Sequence, residues 1–567
     1  MRALNTIRNH PRLRFIKRRA RNLFRGYRAQ RHPATDWSAV LERDRAAWDS
    51  ARAGARGTRV LIATSTGGHG AVTPIESTLA ASLTLRGAQV EFLLCDSALP
   101  ACLQITSADP VDHELFIKSG IKPVECGTCA PVGLATYRPL GLPIHRYSRL
   151  ITREQREAAA TTAQSTPLDA IKAFRLDEVA IGEHALAGAL RYFAKGDISD
   201  EPDGEIVLRR YLGAALLTYY AISNLLSRDQ YDVLCFHHGI YVPQGIIGEV
   251  ARQRGVRVVN WNPSYRKQTF IFSHHDTYHH TLMDEPTESW EQLEWRPELE
   301  AQTMDYLKSR WEGSQDWIWF HEKPQMNIER IASELGLAFD KPIIGLLTNV
   351  VWDAQLHYPA NAFPNMLDWI RRTIEYFCNR PDLALVIRVH PAEIRGTVPS
   401  RQRVVDEINR AFATLPPNIK IIPPESPIST YAVMSVCDTV LIYGTKTGVE
   451  LTSIGIPVVV AGEAWIRNKG LTMDARSADD YFTILDRLPL KQRLDEATMG
   501  RARRYAFHFF FRRMIPISSV EPVKGWPPYK LNVQSLDQIK PGADAGLDVV
   551  CAGILDGTPF VYPAEER

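Results

Sequence analysis

Cysteine is scarce, with eight residues in a chain of 567, which excludes a disulfide-stapled scaffold. Low-complexity tracts are missing. With 35 Gly, 36 Pro, 45% hydrophobic and 23% charged residues, the composition excludes collagen-like and wholly disordered chains. The N-terminus lacks an apolar stretch followed by a small-residue cleavage site, so no cleavable signal peptide is expected. No run reaches the roughly 20 apolar residues that span a bilayer. The longest uncharged one, Tyr211 to Ser227, is broken by Thr218, Ser223 and Asn224 and reads as a buried helix. A G-x-x-x-x-G-K-[ST] loop is absent, which excludes P-loop phosphate binding. No Asp-x-Asp cluster stands at a strand end, so no essential metal is implied, and Mg2+ is left open.

Acidic residues are missing from the first 35 positions, which carry eleven basic ones. The remainder holds 56 basic against 64 acidic residues, a net of −8. Leu13, Phe15, Ile16, Leu23, Phe24 and Tyr27 interleave with those cations. An apolar stripe among arginines suits a helix lying on anionic lipid, where each cation contributes about 1 kcal/mol; a solvated basic arm is the plainer alternative. The acidic body offers no general basic surface, which argues against a nucleic-acid partner. The expected location is cytoplasmic and peripheral, at the inner face of the cell membrane.

Two α/β regions follow. In the first, Arg59 to Thr64 reads as a buried parallel strand, followed by a glycine-rich turn, an apolar-periodic helix and the strand Val90 to Cys95, a βαβ unit. The strand Val233 to Phe236, a helix near 244–254 and the strand Val256 to Asn260 continue the pattern. Residues 284–325 read as a connecting segment with helices. The second region opens with the strand Pro342 to Leu347, and strands recur at Leu383 to Val389, Ile419 to Ile422, Thr439 to Tyr443 and Pro457 to Ala461. The expected fold is α/β, with two Rossmann-like domains whose parallel sheets face a cleft. The expected division is a basic arm over 1–35, an N-terminal Rossmann-like unit with its linker over 57–330, a C-terminal Rossmann-like unit over 340–500, and a crossover helix with tail over 501–567. The aromatic run Tyr505 to Pro516 suits that crossover, or a membrane interface.

Ligands of open parallel sheets bind beyond the carboxyl ends of the strands, so residues at those ends are the candidates. Arg388, His390 and Glu393 stand where a buried strand stops at Pro391; a cation and an imidazole there suit a phosphate or carboxylate. The turn Gly444-Thr445-Lys446-Thr447-Gly448 follows another buried strand and combines small, hydroxyl and cationic residues, a phosphate seat. Glu450 sits one turn further on, placed either to accept from ribose hydroxyls or to close a capping box with Thr447. Asn349 and Asp353 follow a third strand and are candidate ligand contacts.

The His-Pro after a strand, followed about fifty residues later by a strand, a Gly/Thr turn and a Glu-bearing helix, resembles the capsule polysaccharide biosynthesis proteins. Those are GT-B-fold glycosyltransferases related to bacterial Kdo transferases, and more distantly to polysialyltransferases and teichoic acid glycerophosphotransferases. The run Gly444 to Gly462 carries the resemblance most closely, and it extends over roughly residues 340–515 and, more weakly, over 58–280. It implies a nucleotide-sugar donor whose phosphates meet His390 and Gly444–Thr447, with Glu450 near the sugar. The implied acceptor is a growing surface polysaccharide or glycolipid. The acidic Asp/Glu-Asp/Glu-Gly motif of the polysialyl relatives has no counterpart; Asp203-Gly204 lies in a polar loop. The alternatives are a sugar-nucleotide 2-epimerase on the same architecture and an inactive assembly factor.

In the first half, Thr66-Gly67-Gly68-His69-Gly70 ends the first strand, and glycines there let a substrate approach the backbone. His69 is the first candidate for general base toward an acceptor hydroxyl. Glu183, His184, His237 and His238 are its rivals, and His237 and Tyr241 are candidates for acceptor binding. Cys95, Cys102, Cys126 and Cys129 fall within 35 residues, and the pattern fits either a structural zinc site or buried free thiols.

Overall fold

The computed structural model describes residues 35–107, 112–312, 315–317, 324–337, 340–353, 359–525 and 527–566, with positions 20, 24 and 27. Most of the basic arm lies outside the described residues.

Two sheets organise the chain. In the first, strands β1 (Arg59–Ser65), β2 (Gln89–Leu94), β3 (Ile144–Arg146), β4 (Val233–His237), β5 (Arg257–Pro263) and β6 (Thr269–His274) are joined by the late strand β13 (Ile515–Pro516). Their order is β13-β6-β5-β4-β1-β2-β3, parallel from β5 to β3 and antiparallel at the β6 and β13 edge. The second sheet holds β7 (Ile343–Leu347), β8 (Ala384–Arg388), β9 (Ile419–Ile422), β10 (Thr439–Ile442), β11 (Val458–Val460) and β12 (Met473–Asp474). It is parallel throughout, in the order β12-β11-β10-β7-β8-β9. The central strands β4, β7, β8 and β10 are buried along their whole length, as parallel strands covered by helices on both faces must be. The apolar run Tyr211 to Ser227 lies within the 25-residue helix Gly204–Arg228, which packs into the first core. Among the described residues, no helix is long and apolar enough to cross a membrane.

Three features differ from the expected division. Trp37 and Trp48 are fully buried in the core of the first sheet, so residues from 35 onward belong to that lobe. The segment read as a linker is not a tether: Trp290, Leu299, Tyr306 and Leu307 share a core with Val440 and Val458 of the second sheet and with Phe507. The aromatic run lies in that same core, with Tyr505, Phe507, Phe509 and Phe510 almost wholly buried, so these rings face protein rather than a membrane. Beyond them the chain returns to the first sheet as β13, and the helix Ala545–Asp556 covers that sheet beside Val233 and Val259.

The glycine-rich turn after β1 is packed rather than open. A Cβ on Gly67 would stand 2.7 Å from the Cα of Gly133, and one on Gly68 2.8 Å from the Cα of Cys129. Both glycines admit the helix Gly127–Tyr137 against the turn, which corrects the expectation that they admit substrate. Gly67→Ala is expected to cost about 1–3 kcal/mol, the usual penalty of overpacking, measured as a lower urea midpoint at unchanged slope.

Candidate functional site

A cavity of about 420 Å³ opens between the lobes. The second sheet supplies one wall from the ends of β7, β8, β10 and β11. Tyr443 closes β10 with its hydroxyl donating to Phe363 O at 3.1 Å. The turn then exposes Gly444, Thr445, Lys446 and Thr447 to the cavity. Gly444 N donates to Asn349 Oδ1 at 3.4 Å, and Thr447 N donates to Thr445 Oγ1 at 3.3 Å. Lys446 Nζ lies 3.1 Å from Glu450 Oε1 and 4.8 Å from the centre of the Tyr265 ring. His390 N donates to Thr348 Oγ1, and its Nδ1 accepts from Ala392 N, each at 3.0 Å. With Nδ1 an acceptor, the neutral ring carries its proton on Nε2. Burial, with Lys446 and Arg388 nearby, lowers His390 to about 4, so the ring is neutral at pH 7.

Arg310, from the helix Pro297–Glu312, crosses to this wall. Its side chain is 4% exposed and pairs with Asp316 and, at 3.1 Å, with Glu450 Oε1. It also donates to Tyr306 Oη at 2.9 Å, and the guanidinium stands 5.1 Å from the Phe510 ring. Burial alone raises a carboxyl, yet Arg310 and Lys446 outweigh it and hold Glu450 below its ordinary value. Lys446 is lowered by burial and by Arg310, against the pull of Glu450. The cluster places Lys446 and Arg310 in the cavity wall beside Asp316, with Glu450 behind them, and the Lys446 ammonium is the group placed to meet an anion.

On the facing side stands a row of imidazoles. Ring centres are 5.2 Å apart for His69 and His237, 5.6 Å for His237 and His238, and 5.9 Å for His238 and His279. Burial lowers His69 and His279 to about 4 and His238 to about 3, with His237 also far below its usual value. Of these four, His279 lines the cavity. Beside them Asp353, also in the cavity wall, accepts from Tyr241 Oη at 2.7 Å and Arg191 Nη1 at 3.0 Å. This contact ties the loop after β7 to the first lobe.

Several candidate residues occupy other places than expected. Glu393 is fully buried away from the cavity, where it accepts from Val404 N at 3.0 Å and so holds the start of the helix Val404–Ala411. Glu450 does not reach the wall, because Arg310 and Lys446 cover it, and no capping box with Thr447 forms. Gly448 packs against Ile442 and Ile466. Arg388 lines the cavity, but its guanidinium donates to Pro423 O at 2.6 Å and Ser426 O at 3.2 Å, which makes it a buried brace. His69, His237 and His238 stand behind His279, and Tyr241 is engaged by Asp353. Glu183 lies in the first turn of the helix Ile181–Phe193, outside the cavity lining, and His184 donates from Nδ1 to Ile240 O at 2.5 Å. Asn349, His390 and the Gly444–Thr447 turn do share one wall.

Cys95, Cys102, Cys126 and Cys129 gather round a second, small and mostly apolar cavity as free thiols. Burial pushes all four up, Cys129 to about 12. Among the described residues, no group of three or more His, Cys, Asp or Glu is placed to hold a metal ion.

Sequence reasoning missed Arg310, Tyr265, His279, Asn361, Glu463 and Trp465, all of which line this cavity of about 420 Å³. Glu463 and Trp465 follow β11, so the strand-end rule that selected Asn349 reaches them too. Arg310 carries no such signal, because it sits in a segment read as a linker.

Two Rossmann-like lobes with parallel sheets facing one cleft, and a C-terminal chain that crosses back to the first lobe, make this a GT-B-type architecture. No protein-family model matches the chain, and no curated protein matches it. Among solved structures, the chain is similar to a beta Kdo 2,4 transferase, KpsC, of Thermosulfurimonas dismutans, with 13% identity over 48% of this chain and 79% of that one and a TM-score of 0.29. It is similar to the glycotransferase of kitacinnamycin, with 14% identity over 80% and 95% of the two chains and a TM-score of 0.23. It is also similar to the UDP-GlcNAc 2-epimerase of Methanocaldococcus jannaschii, with 10% identity over 79% and 98% and a TM-score of 0.27.

Proposed function

We propose that this chain is a nucleotide-sugar-dependent glycosyltransferase that passes a sugar to a growing surface polysaccharide or glycolipid. The observation that carries the reading is the interlobe cavity itself. Lys446, Thr445, Thr447 and His390 converge on one wall, and aromatic side chains with His279 stand across from them. Its volume lies within the range of small-molecule sites.

In this reading the donor's phosphates meet Lys446, the two threonine hydroxyls and His390 Nε2–H. Positive charge already in place at Lys446 stabilises the leaving phosphate as the glycosidic bond breaks. His279, a neutral imidazole in the wall, takes the proton of the acceptor hydroxyl. Closure of the lobes, tied at Asp353, limits loss of donor to water. The basic arm over 1–35 attaches the enzyme to an anionic membrane surface.

A thermal-shift panel of UDP-glucose, GDP-mannose, CMP-N-acetylneuraminate and CDP-glucose tests this reading. At least one is expected to stabilise the protein, by about 2.7 kcal/mol at 100 times its Kd. Absence of any shift across the panel would overturn nucleotide-sugar binding. Isomerisation of a bound nucleotide sugar without acceptor would replace transfer with 2-epimerisation.

A further inference from the structure

A buried carboxyl among the residues that line the cavity has one oxygen satisfied and one without a partner among the described residues. Glu463 follows β11 through Gly462, where an added Cβ would stand 2.8 Å from Tyr443 O and 2.9 Å from Asn361 Oδ1. The backbone there has no room to shift. Glu463 N donates to Asn361 Oδ1 at 2.9 Å, which fixes the start of the side chain. Its carboxyl Oε1 accepts from Ala360 N at 2.8 Å, which fixes the far end. Oε2 is buried and has no hydrogen-bond partner among the described residues, and the residue as a whole is 8% exposed. A buried acceptor left without a donor is costly, and Glu463 is one of the residues that line the interlobe cavity.

Its neighbours say which part of a ligand. Gly444 begins the turn that carries Thr445 and Lys446, and a Cβ built on it would stand 3.2 Å from Glu463 O. Glu463 therefore adjoins the anion-facing turn. Trp465, two residues on, also lines the cavity, with its ring centre 5.9 Å from that of His279 and 5.9 Å from that of Tyr265. A carboxylate beside an aromatic wall matches a pyranose, which offers hydroxyls at its edge and C–H groups on its face. Burial raises the Glu463 carboxyl, against the pull of Ala360 N–H, His280 and Arg467, as expected of a carboxylate short of donors.

We propose that Glu463 is a sugar-recognising residue, whose Oε2 accepts a hydrogen bond from a hydroxyl of the donor's sugar while the adjoining turn holds the phosphates. The inference rests on the nucleotide-sugar reading of the cavity and adds the group that distinguishes the glycosylated nucleotide from the bare one. Gln in this place keeps the Oε1 contact with Ala360 but turns an NH2 toward the sugar and loses the charge. A hydrogen bond to a charged acceptor is stronger than one between neutral groups.

Isothermal titration of wild type, Glu463→Gln and Glu463→Asp with UDP, GDP, CMP and CDP, each beside its sugar form from the panel, tests the proposal. Glu463→Gln is expected to weaken the nucleotide sugar about tenfold and to leave the bare nucleotide within twofold. Equal effects on both forms, or no effect on either, would overturn the sugar contact. Should the Gln variant fold poorly, the shortened Asp carboxylate gives the same comparison with the same readout. Wild-type protein that binds no nucleotide in either form would instead remove the nucleotide-sugar reading, an outcome distinct from failure of the Glu463 contact alone.

Discussion

Lys446→Met is expected to lower kcat/KM for sugar transfer by about 100- to 1,000-fold, the scale on which a preorganised charge at a developing anion acts. The lysine stands in the cavity wall, with Glu450 on one side and the face of Tyr265 on the other. That cage holds the ammonium at one point, so no reorganisation is needed as phosphate charge grows. Methionine fills a similar volume and Arg310 still pairs with Glu450, so the variant should fold, with a lowered thermal transition. Lys446→Arg should recover only part of the rate, because a planar fork does not reproduce a compact ammonium between a ring and a carboxylate. Steady-state kinetics with the donor found in the panel, beside melting curves of both variants, measure this. A variant that folds and retains its kcat/KM would remove Lys446 from the phosphate seat.

The second large effect is on stability. Arg310→Met should cost about 3–5 kcal/mol, the usual result of removing one partner from a buried ion pair. Its guanidinium neutralises Glu450 and Asp316, whose side chains are 2% and 7% exposed. Without it both carboxylates remain buried with less compensation, and the contact between the helix Pro297–Glu312 and the anion-facing turn is lost. The triple variant Arg310→Met, Glu450→Gln, Asp316→Asn should recover part of the loss, because it removes both uncompensated carboxylates and leaves only Lys446 charged, at the cavity wall. Urea unfolding of the single and triple variants reads both effects. The pH dependence has a definite sign. Arg310 and Lys446 hold Glu450 below its unfolded value, so its contribution is complete above the ordinary glutamate range and is lost as pH falls toward the depressed folded value. Glu450→Gln should flatten the acid limb of the stability curve. A single variant as stable as wild type would show that solvent reaches the cluster.

The parallel strands were legible because burial on both faces imposes continuous apolar runs. Ile343–Leu347, Ala384–Arg388 and Thr439–Ile442 could be read in that way, with a turn after each. Strand ends in turn located Asn349, His390 and the Gly444–Thr447 turn, which share one wall. The charged residues nearby were harder to place. Glu393 and Glu450 stand close in sequence to His390 and Lys446, yet both point into protein, where Val404 N and Arg310 take them up. Short-range spacing gives the distance along the chain but not the side of the element on which a carboxylate finds its donor. The histidines show the same limit: His69 and His238 follow strands as expected, while His279, which no strand end announced, reaches the cavity.

Local pattern, then, determined the two α/β lobes, the apolar strands and the turns at their ends, because hydrophobic periodicity and turn chemistry act between residues close in the chain. Tertiary structure alone decided that a segment resembling a linker packs onto the second sheet, that Arg310 joins Lys446 and Glu450, and that Glu463, in the cavity lining, keeps an oxygen without a partner among the described residues. Those contacts join positions far apart in the chain, Arg310 and Glu450 being separated by 140 residues. Their stability comes from burial and charge compensation, which exist only once the lobes have packed.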